Sequence, residues 1–486
     1  AGRPRAGAVA VQRLRRPARP SLGSAVGLCL AAIAMAIGLQ SLSDNSFFTH
    51  LATGRVIVDT GHIPRSDIYT FTAQGTDWVV QSWLASALYG AVDDLAGSDG
   101  VRLLMGLLTA GVFLVVWRLT KPAKGLIVRV AIAAVCLGIG ASQWSQRPLL
   151  FGLLFLGLTV LAAQGAFDPR WLVPVGWLWV NTHGSFPLGL VYLVVVLVGR
   201  RLDRDLSEVE SRCLRWLLVG VLLGAVNPLG PELLLFPVEL LQKQDVLRHV
   251  IEWQAPAFRS VGERLFLLEA LVAVVALVRR PRYRHGLVLG VFLAAALLGS
   301  RNITVASIVL VPLLADAWAD VGGIRSDVRD RMASLVGAVG VVAVLGVTVV
   351  QLGEPGYSIE GYPTMALDHL EDHHVELAEV RLAAPDVVGN LLELRDGPGR
   401  RVFYDDRFDM FPERLTDDVL DLVRGRPEAR AALARHRIDL VLWERDQPLA
   451  TILGGDPEWR LLFDEDDDWV LLCRIGANIG GDLGSC

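Results

Sequence analysis

The sequence has little of what marks common catalytic and metal-binding motifs. Its five cysteines form no C-x-x-C pair and no cysteine–histidine spacing of the kind that binds zinc. No phosphate-binding loop, G-x-G-x-x-G or G-x-S-x-G stands in a fitting context. Lysine is scarce, since only three of the 46 basic residues are lysine. The sequence therefore offers no local signature of a zinc module, a nucleotide-binding enzyme or a serine hydrolase.

What the sequence has in excess is apolar residues. Of its 486 residues 52% are hydrophobic and the mean hydropathy is +0.44, which indicates a polytopic membrane protein. Residues 354–486 hold 29 Asp and Glu against 14 Arg, whereas residues 1–353 hold 22 acids against 32 bases. We therefore predict a cytoplasmic basic N-terminus (1–23), a transmembrane domain (24–353) and an extracytoplasmic acidic α/β domain (354–486). The acidic tail gives no support for binding to nucleic acid.

About eleven apolar stretches are as long as a bilayer core requires or somewhat shorter. They cover residues 24–42, 101–119, 126–142, 149–165, 170–181, 185–199, 214–227, 264–279, 286–300, 303–319 and 333–351. With the N-terminus inside, the inner segments carry 23 Arg and Lys and the outer segments 8, as the positive-inside rule requires. The first stretch lacks an A-x-A-like cleavage site and is interpreted as a retained span. The odd number of spans places the acidic tail outside, together with loops 43–100 and 227–263.

The first external loop predicts two amphipathic helices along the membrane interface. Ser43 or Asp44 can cap the first helix, which ends before Gly61. The second helix is predicted from Trp78 to Leu95, with Trp83 on its apolar side.

Several segments resemble signatures of a bacterial family of polytopic membrane proteins. Residues 44–55 resemble its D-x-D-x-W-W-H-L-x-T-G-R opening, and residues 63–72, 75–78 and 83–84 continue the likeness. Later matches are residues 179–186, 227–230, 252–256, 301–302, and residues 402–409, which resemble a V-F-x-D-x-R-x-D strand. The family is similar to the C-type glycosyltransferases, which have many spans, a long first external loop and an acid just after the first span. The resemblance covers most of the chain.

This resemblance implies a polyprenyl-phosphate sugar as the donor and Asp44 as the catalytic residue. A base must take the proton of the acceptor hydroxyl, and partial desolvation at the rim of the hydrocarbon makes a carboxylate a better base. Capping of the following helix is an equally good and compatible role for Asp44. The chain departs from the pattern at Ser46, where the opening has a second acid, and at Ser82, where an acid precedes the loop tryptophan.

Eight further residues are predicted to bind substrate. Arg147 and Arg301 stand just outside apolar spans, where a guanidinium can hold a lipid phosphate or contact ordinary headgroups. The remaining candidates are polar residues on the predicted outer face, namely His50, Arg65, Asp67, Asn181, His183 and Glu252. Each has a structural alternative: an interfacial histidine for His50, a loop ion pair for Arg65 with Asp67, and a surface hairpin for Asn181 and His183. An acid beside an aromatic residue suits sugar binding, but Glu252 beside Trp253 is a weak signal.

The acidic tail predicts a compact α/β unit. Residues 401–404, 438–443 and 469–474 form its strands, and helices cover about 416–424, 428–437 and 449–453. Residues 357–384 are predicted to link the last span to this unit. The acids Asp405, Asp406 and Asp409 favour hydrogen bonding over cation binding.

The sequence thus predicts a polytopic α-helical protein of C-type glycosyltransferase-like fold in the bacterial plasma membrane. Its predicted activity is transfer of a sugar from a polyprenyl-phosphate donor to an envelope glycan, lipid or protein on the extracytoplasmic face. The alternative is a non-catalytic member of the same fold that acts as a scaffold or glycan-binding protein in envelope assembly. No cofactor is predicted, and a divalent metal stays an open alternative without support from the residues.

Overall fold

The computed structural model describes residues 19–205, 207–243, 250–399, 401–465 and 468–486. Most of the predicted basic N-terminus, up to residue 18, lies outside the described residues. The membrane-domain helices are α1 Leu22–Gly38, α2 Asn45–Thr60, α3 Trp83–Leu119, α4 Leu126–Ala141, α5 Leu149–Ala163, α6 Leu172–Thr182, α7 Pro187–Asp203, α8 Glu208–Leu223, α9 Glu232–Gln242, α10 Val261–Arg279, α11 Tyr283–Leu298, α12 Ile303–Ala317 and α13 Arg331–Leu352.

Each of the eleven predicted apolar stretches lies largely within one of these helices. By length and composition, three helical segments could cross a membrane: residues 83–119, 300–317 and 331–352. Helices α1, α4, α5 and α11 are apolar but shorter. The count of about eleven spans therefore stays a prediction, while the helical character of the stretches is confirmed.

The outer surface of the bundle is apolar. On α13 only Ala333 and Gly340 are buried, and large side chains such as Leu335, Val342 and Val349 are exposed. Helix α10 likewise exposes Leu271 and Val275. Extended apolar surface of this kind is rare in soluble monomers and fits contact with lipid.

The first outer loop differs from the prediction in its second half. Helix α2 is capped by Asp44, as predicted, and ends at Gly61, whose φ of 69° is in the left-handed region. Helix α3 begins at Trp83 and not at Trp78, and it runs on to Leu119 with a break at Gly97. Trp78 lies in an extended segment and is 7% exposed, so it is a core residue and not an interfacial anchor.

Helix α2 is largely buried against other parts of the protein, and its position along the membrane interface stays a prediction. Phe47, Phe48 and Leu51 are fully buried between α3 and helix α15 (Asp386–Asp396) of the acidic domain. Gly54 and Gly90 let α2 and α3 approach backbone to backbone, because a Cβ at either position would collide with the other helix. The first outer loop is thus built into the interface with the acidic domain.

The acidic domain contains a mixed sheet. Its further elements are α14 Thr364–Asp372, β1 Leu382–Ala383, α16 Glu413–Arg424, α17 Ala429–Arg435, β2 Leu440–Glu444, α18 Pro448–Gly454, β3 Trp459–Glu465 and β4 Trp469–Arg474, followed by a small hairpin of β5 Asn478–Gly480 and β6 Gly484–Ser485. The strand order is β1-β2-β4-β3, with β1 parallel to β2 and the other pairs antiparallel. Cys473 of β4 forms a disulfide with Cys486, at a Cα–Cα distance of 6.2 Å.

The predicted strand at residues 401–404 is wrong. Its Val402 pairs with the first outer loop, donating its N–H to Tyr69 O (2.9 Å) and accepting from Phe71 N (3.0 Å). The first strand of the sheet is instead Leu382–Ala383, inside the segment predicted as a linker. Because Val402 pairs with Tyr69 and Phe71, it is not part of the sheet of the acidic domain.

A buried arginine fastens the acidic domain to this loop. Arg407 donates from Nε to Asp405 Oδ1 (2.9 Å) and from Nη2 to Asp405 Oδ2 and Asp67 Oδ1, both at 2.6 Å. Its guanidinium lies over the rings of Trp78 (4.3 Å) and Tyr69 (5.0 Å). All five side chains are buried, so the ion pair is shielded from water and salt.

Glu393 of α15 completes this cluster. It is fully buried and accepts from Thr49 Oγ1 of α2 (2.7 Å). Burial first, and then the charge of Asp405, raises the pKa of Glu393 well above its usual range. One guanidinium therefore pairs with two carboxylates, and Glu393 lies beside them as a third acid.

We expect Arg407→Met to destabilise the protein strongly, by about 3–5 kcal/mol, because it leaves buried carboxylates without a cation. Thermal unfolding of the purified protein in detergent measures the effect. Arg401→Met is the matched control, since Arg401 is exposed and bonds only to Gln74 among the described residues. Equal melting temperatures for the two variants would contradict the role of Arg407.

Candidate functional site

The candidate site forms where the first outer loop begins. Asp44 is the N-cap of α2, with Oδ1 accepting from Phe47 N at 3.4 Å. Its side chain is only 10% exposed. Capping therefore fixes a largely buried carboxylate just beyond the end of α1, as the sequence predicted.

Arg147 is the direct partner of Asp44. Its Nε lies 2.7 Å and 2.9 Å from the two carboxylate oxygens, and its Nη1 donates to Glu252 Oε1 at 2.5 Å. Burial opposes the charge of Arg147, but the carboxylates of Asp44 and Glu252 outweigh it and raise the pKa of the guanidinium. The charge of Arg147 is thus fully compensated.

Two loops set the position of Arg147 and Glu252. Gln146 donates to the carbonyls of Gln40 (3.5 Å) and Ser41 (3.3 Å), which ties the α4–α5 loop to the segment before Asp44. Glu252 lies on the short 3₁₀ helix Ile251–Trp253, whose Glu252 carbonyl accepts from Ser300 Oγ at 3.2 Å. Residues from three distant parts of the chain therefore meet at the guanidinium of Arg147.

Arg301 lies on the far side of Glu252. Its guanidinium stacks over the Trp253 ring at 4.3 Å, an interaction that orients the cation without neutralising it. Among the described residues the Arg301 side chain has no hydrogen-bond partner. Arg147 and Arg301 are close enough to repel each other. An anion bound between them would therefore be attracted by both guanidinium groups.

Two histidines border the cluster. His50 Nδ1 lies 3.2 Å from Ser86 Oγ, and burial, followed by the charge of Arg147, lowers the pKa of His50 to about 4. His183 Nδ1 accepts from Ser185 N at 3.2 Å, so its Nε2 is assigned as the protonated nitrogen. His50 is therefore neutral at pH 7, and both rings can offer polar contacts to a neutral ligand such as a sugar.

Two of the residues predicted to bind substrate have protein partners in the structure. Asn181 is fully buried, accepts from Trp83 Nε1 (2.9 Å) and donates to Trp177 O (2.8 Å), so it has a structural role. Asp67 is buried and forms an ion pair with Arg407. The structure also does not support the Arg65–Asp67 loop pair, because Arg65 donates to Pro228 O (2.6 Å) and lies 3.6 Å from Glu232.

One acid that the sequence analysis treated as bland joins the site. Asp406, beside the Arg407 cluster, lies near Ser46 and feels the charge of Arg147. Burial, offset in part by Ser46, raises the pKa of Asp406 to about 7. Of the three acids predicted to form hydrogen bonds, Asp405 does so through its carboxylate, which accepts from Arg407. The proximity of Asp406 to Ser46 could not be read from local spacing, because the two residues are 360 positions apart.

A metal site is not apparent in this cluster. Within the described ranges, no three His, Cys, Asp or Glu side chains are grouped so that they could hold a metal ion. Both oxygens of Asp44 already face Arg147. The residues are arranged as an ion-pair network and not as a set of metal ligands.

Comparison with known proteins finds a similar fold among solved structures. No protein-family model and no curated protein matches the chain. Among solved structures, the apo oligosaccharyltransferase of Archaeoglobus fulgidus is similar with a TM-score of 0.51 and 10% identity, over 86% of this chain and 69% of that one. The arabinofuranosyltransferase AftD from Mycobacteria is similar with a TM-score of 0.53 and 12% identity. That match covers 96% of this chain and 41% of AftD, so this chain spans less than half of AftD. The predicted resemblance is confirmed at the level of the fold.

The raised pKa of Asp406 predicts how stability changes with pH. Between about pH 4 and pH 7 the unfolded chain has lost this proton while the folded protein keeps it, so stability falls as pH rises across that range. Asp406→Asn should reduce the fall, because asparagine needs no proton. Thermal unfolding at about pH 5 and pH 8 measures the difference. Asp417→Asn, an exposed acid of α16, is expected to keep the wild-type pH dependence, and the assignment is wrong if Asp406→Asn keeps it too.

Proposed function

We propose that this protein transfers a sugar from a polyprenyl-phosphate donor to a glycan, lipid or protein acceptor on the extracytoplasmic face of the plasma membrane. The observation that carries the proposal is the Asp44–Arg147 pair, with Arg301 beside it, at the outer end of the first span. The two similar structures, an oligosaccharyltransferase and an arabinofuranosyltransferase, support glycosyl transfer as the reaction class. Asp44 acts as the general base.

The ion pairs suggest how the site is activated. Without donor, Asp44 and Glu252 neutralise Arg147. A phosphate that enters between Arg147 and Arg301 relieves their mutual repulsion and offers stronger, charge-assisted hydrogen bonds. Arg147 turns to the phosphate, and Asp44 loses its cation. Because its partner leaves and a negative charge arrives, Asp44 becomes a better base only when the donor is bound.

The reaction then needs one proton transfer. The acceptor hydroxyl oxygen forms a bond to the anomeric carbon of the sugar, and the bond from that carbon to the phosphate oxygen breaks. The phosphate leaves with the electron pair, held by Arg147 and Arg301, and Asp44 takes the hydroxyl proton. His50 and His183 contact the sugar as neutral groups. No step is assigned to a metal.

The second candidate function is a non-catalytic scaffold or glycan-binding protein. It is favoured by one observation: Arg147 holds both carboxylate oxygens of Asp44, and no acid stands at Ser46 or Ser82 to share the work. Under this alternative the ion pair is a permanent structural tie, and Asp44 never acts as a base.

Asp44→Asn separates the two functions. Asparagine still caps α2, so we expect a folded protein that has lost the base and with it about 10²–10⁴-fold in the rate of transfer. The assay follows sugar transfer by purified protein from polyprenyl-phosphate donors. Asp77→Asn, an exposed acid of the same loop, is the matched control and should keep full activity. Transfer at the wild-type rate by Asp44→Asn would exclude it as the base, whereas a wild type that binds glycan without transfer would favour the scaffold.

The proposal also requires the acidic domain to lie outside the cytoplasm. The Cys473–Cys486 disulfide supports this placement, because disulfides persist in oxidising compartments. The excess of arginine on the opposite loops supports it independently.

We therefore expect opposite labelling of two single-cysteine variants by a membrane-impermeant maleimide. Glu379→Cys, exposed in the acidic domain, should react in intact cells, while Lys124→Cys, exposed between α3 and α4, should react only after permeabilisation. Labelling is measured above that of the unaltered chain. The reverse pattern would place Asp44 and the acidic domain in the cytosol and exclude the proposed reaction.

A further inference from the structure

A large cavity lies at the end of the helical bundle opposite Asp44. Its volume is about 830 Å³, which is in the range of small-molecule and cofactor sites. Its wall is formed by the ends of α3, α5, α7, α11 and α12 and the loops beside them. None of its residues belongs to the candidate site described above.

The distance between the two sites follows from the helices. Trp117, near the end of α3, donates to Gly23 O at the start of α1 (3.0 Å), so the cavity end of α3 lies beside the start of α1. Asp44 follows the other end of α1. With 17 residues at a rise of 1.5 Å each, that helix separates the two ends by roughly 25 Å. The cavity is therefore on the opposite side of the bilayer from the proposed reaction.

The charged residues at the rim are mostly basic. Four bases and two acids line the cavity: Arg118, Lys121, Arg200, Arg284, Glu210 and Asp316. Both acids are already paired, Glu210 with Arg200 (2.5 Å) and Asp316 with Arg280 (3.6 Å). Arg118 and Lys121 are exposed, and neither has a carboxylate partner among the described residues. The positive charges of Arg118 and Lys121 at the mouth of the cavity are therefore not balanced by acids.

The interior of the cavity is apolar. Leu114, Leu158, Leu161, Val288 and Leu313 contribute its wall. Leu114 is 41% exposed, so the cavity reaches the outer surface of the bundle, where a membrane protein meets lipid chains. The basic groups lie at the helix ends, where a phospholipid has its headgroup. The apolar part of the cavity lies below them, where the lipid has its acyl chains.

We propose that this cavity binds an anionic phospholipid of the leaflet at the N-terminal end of α1. The guanidinium of Arg118 and the ammonium of Lys121 hold the headgroup phosphate, and an acyl chain lies along the wall near Leu114. Basic pockets between membrane helices on the cytoplasmic side recognise anionic headgroups in this way. This site is independent of the reaction proposed above and does not require it to be correct.

Lipid retention by the full-length protein tests the inference. The protein is purified from membranes, placed in nanodiscs of phosphatidylglycerol or phosphatidylcholine, returned to detergent and analysed by native mass spectrometry. We expect the wild type to retain phosphatidylglycerol and not phosphatidylcholine, and Arg118→Gln/Lys121→Gln to lose at least about fivefold of the bound lipid, as a loss of two charge-assisted contacts implies. Lys124→Gln/Arg331→Gln removes two exposed bases near the same membrane face outside the cavity and should retain the lipid.

Four outcomes would overturn the proposal: equal retention of phosphatidylcholine, equal loss of lipid in the control variant, retention unaffected by Arg118→Gln/Lys121→Gln, or displacement by inorganic phosphate, which would indicate a free-phosphate site. Leu114→Trp keeps the test decisive if the double variant fails to fold. It fills the cavity from an exposed position and should also reduce the bound lipid, and full retention by this variant would contradict binding inside the cavity.

Discussion

The position of the whole acidic domain depends on one buried guanidinium. Arg407 joins the carboxylates of Asp67 and Asp405 under the rings of Tyr69 and Trp78. A buried charge left without its partner is costly, so the loop around residue 407 has one stable position against the first outer loop. The neighbouring residue, Asp406, is thereby held at Ser46. A structural ion pair thus fixes the composition of the candidate site without belonging to it.

Charge compensation is the common principle at both ends of the molecule. At the outer end, one cation is balanced by two acids while a second, Arg301, is only stacked on an indole ring, so the balance can shift when an anion enters. At the other end, pairs of acids and bases neutralise each other around a cavity and leave two bases over. The two ends are separated by the length of α1, roughly 25 Å.

The sequence predicted what depends on local pattern. Apolar runs located the helices, and Asp44 was recognised as a cap because capping is a short-range preference. Arg147, Glu252 and Arg301, which the arginine asymmetry placed on one side, lie close together in the structure. The contacts that the sequence did not predict share a cause, which is a distant partner. Asp67 is 340 residues from Arg407, Asn181 is buried by Trp83 and α8, and Val402 pairs with the outer loop and not with the sheet. No window along the chain contains both members of these pairs.

The proximity of Asp406 to Ser46 bears on how divergent copies of this fold are judged. A scan for paired acids in the opening segment would classify this chain as a pseudoenzyme, because one acid of the pair is a serine. In three dimensions a carboxyl group from a different domain occupies the neighbourhood of the missing one. Inactivity should therefore be inferred from the side chains that surround the first acid in the folded protein, and not from the sequence of the opening motif alone.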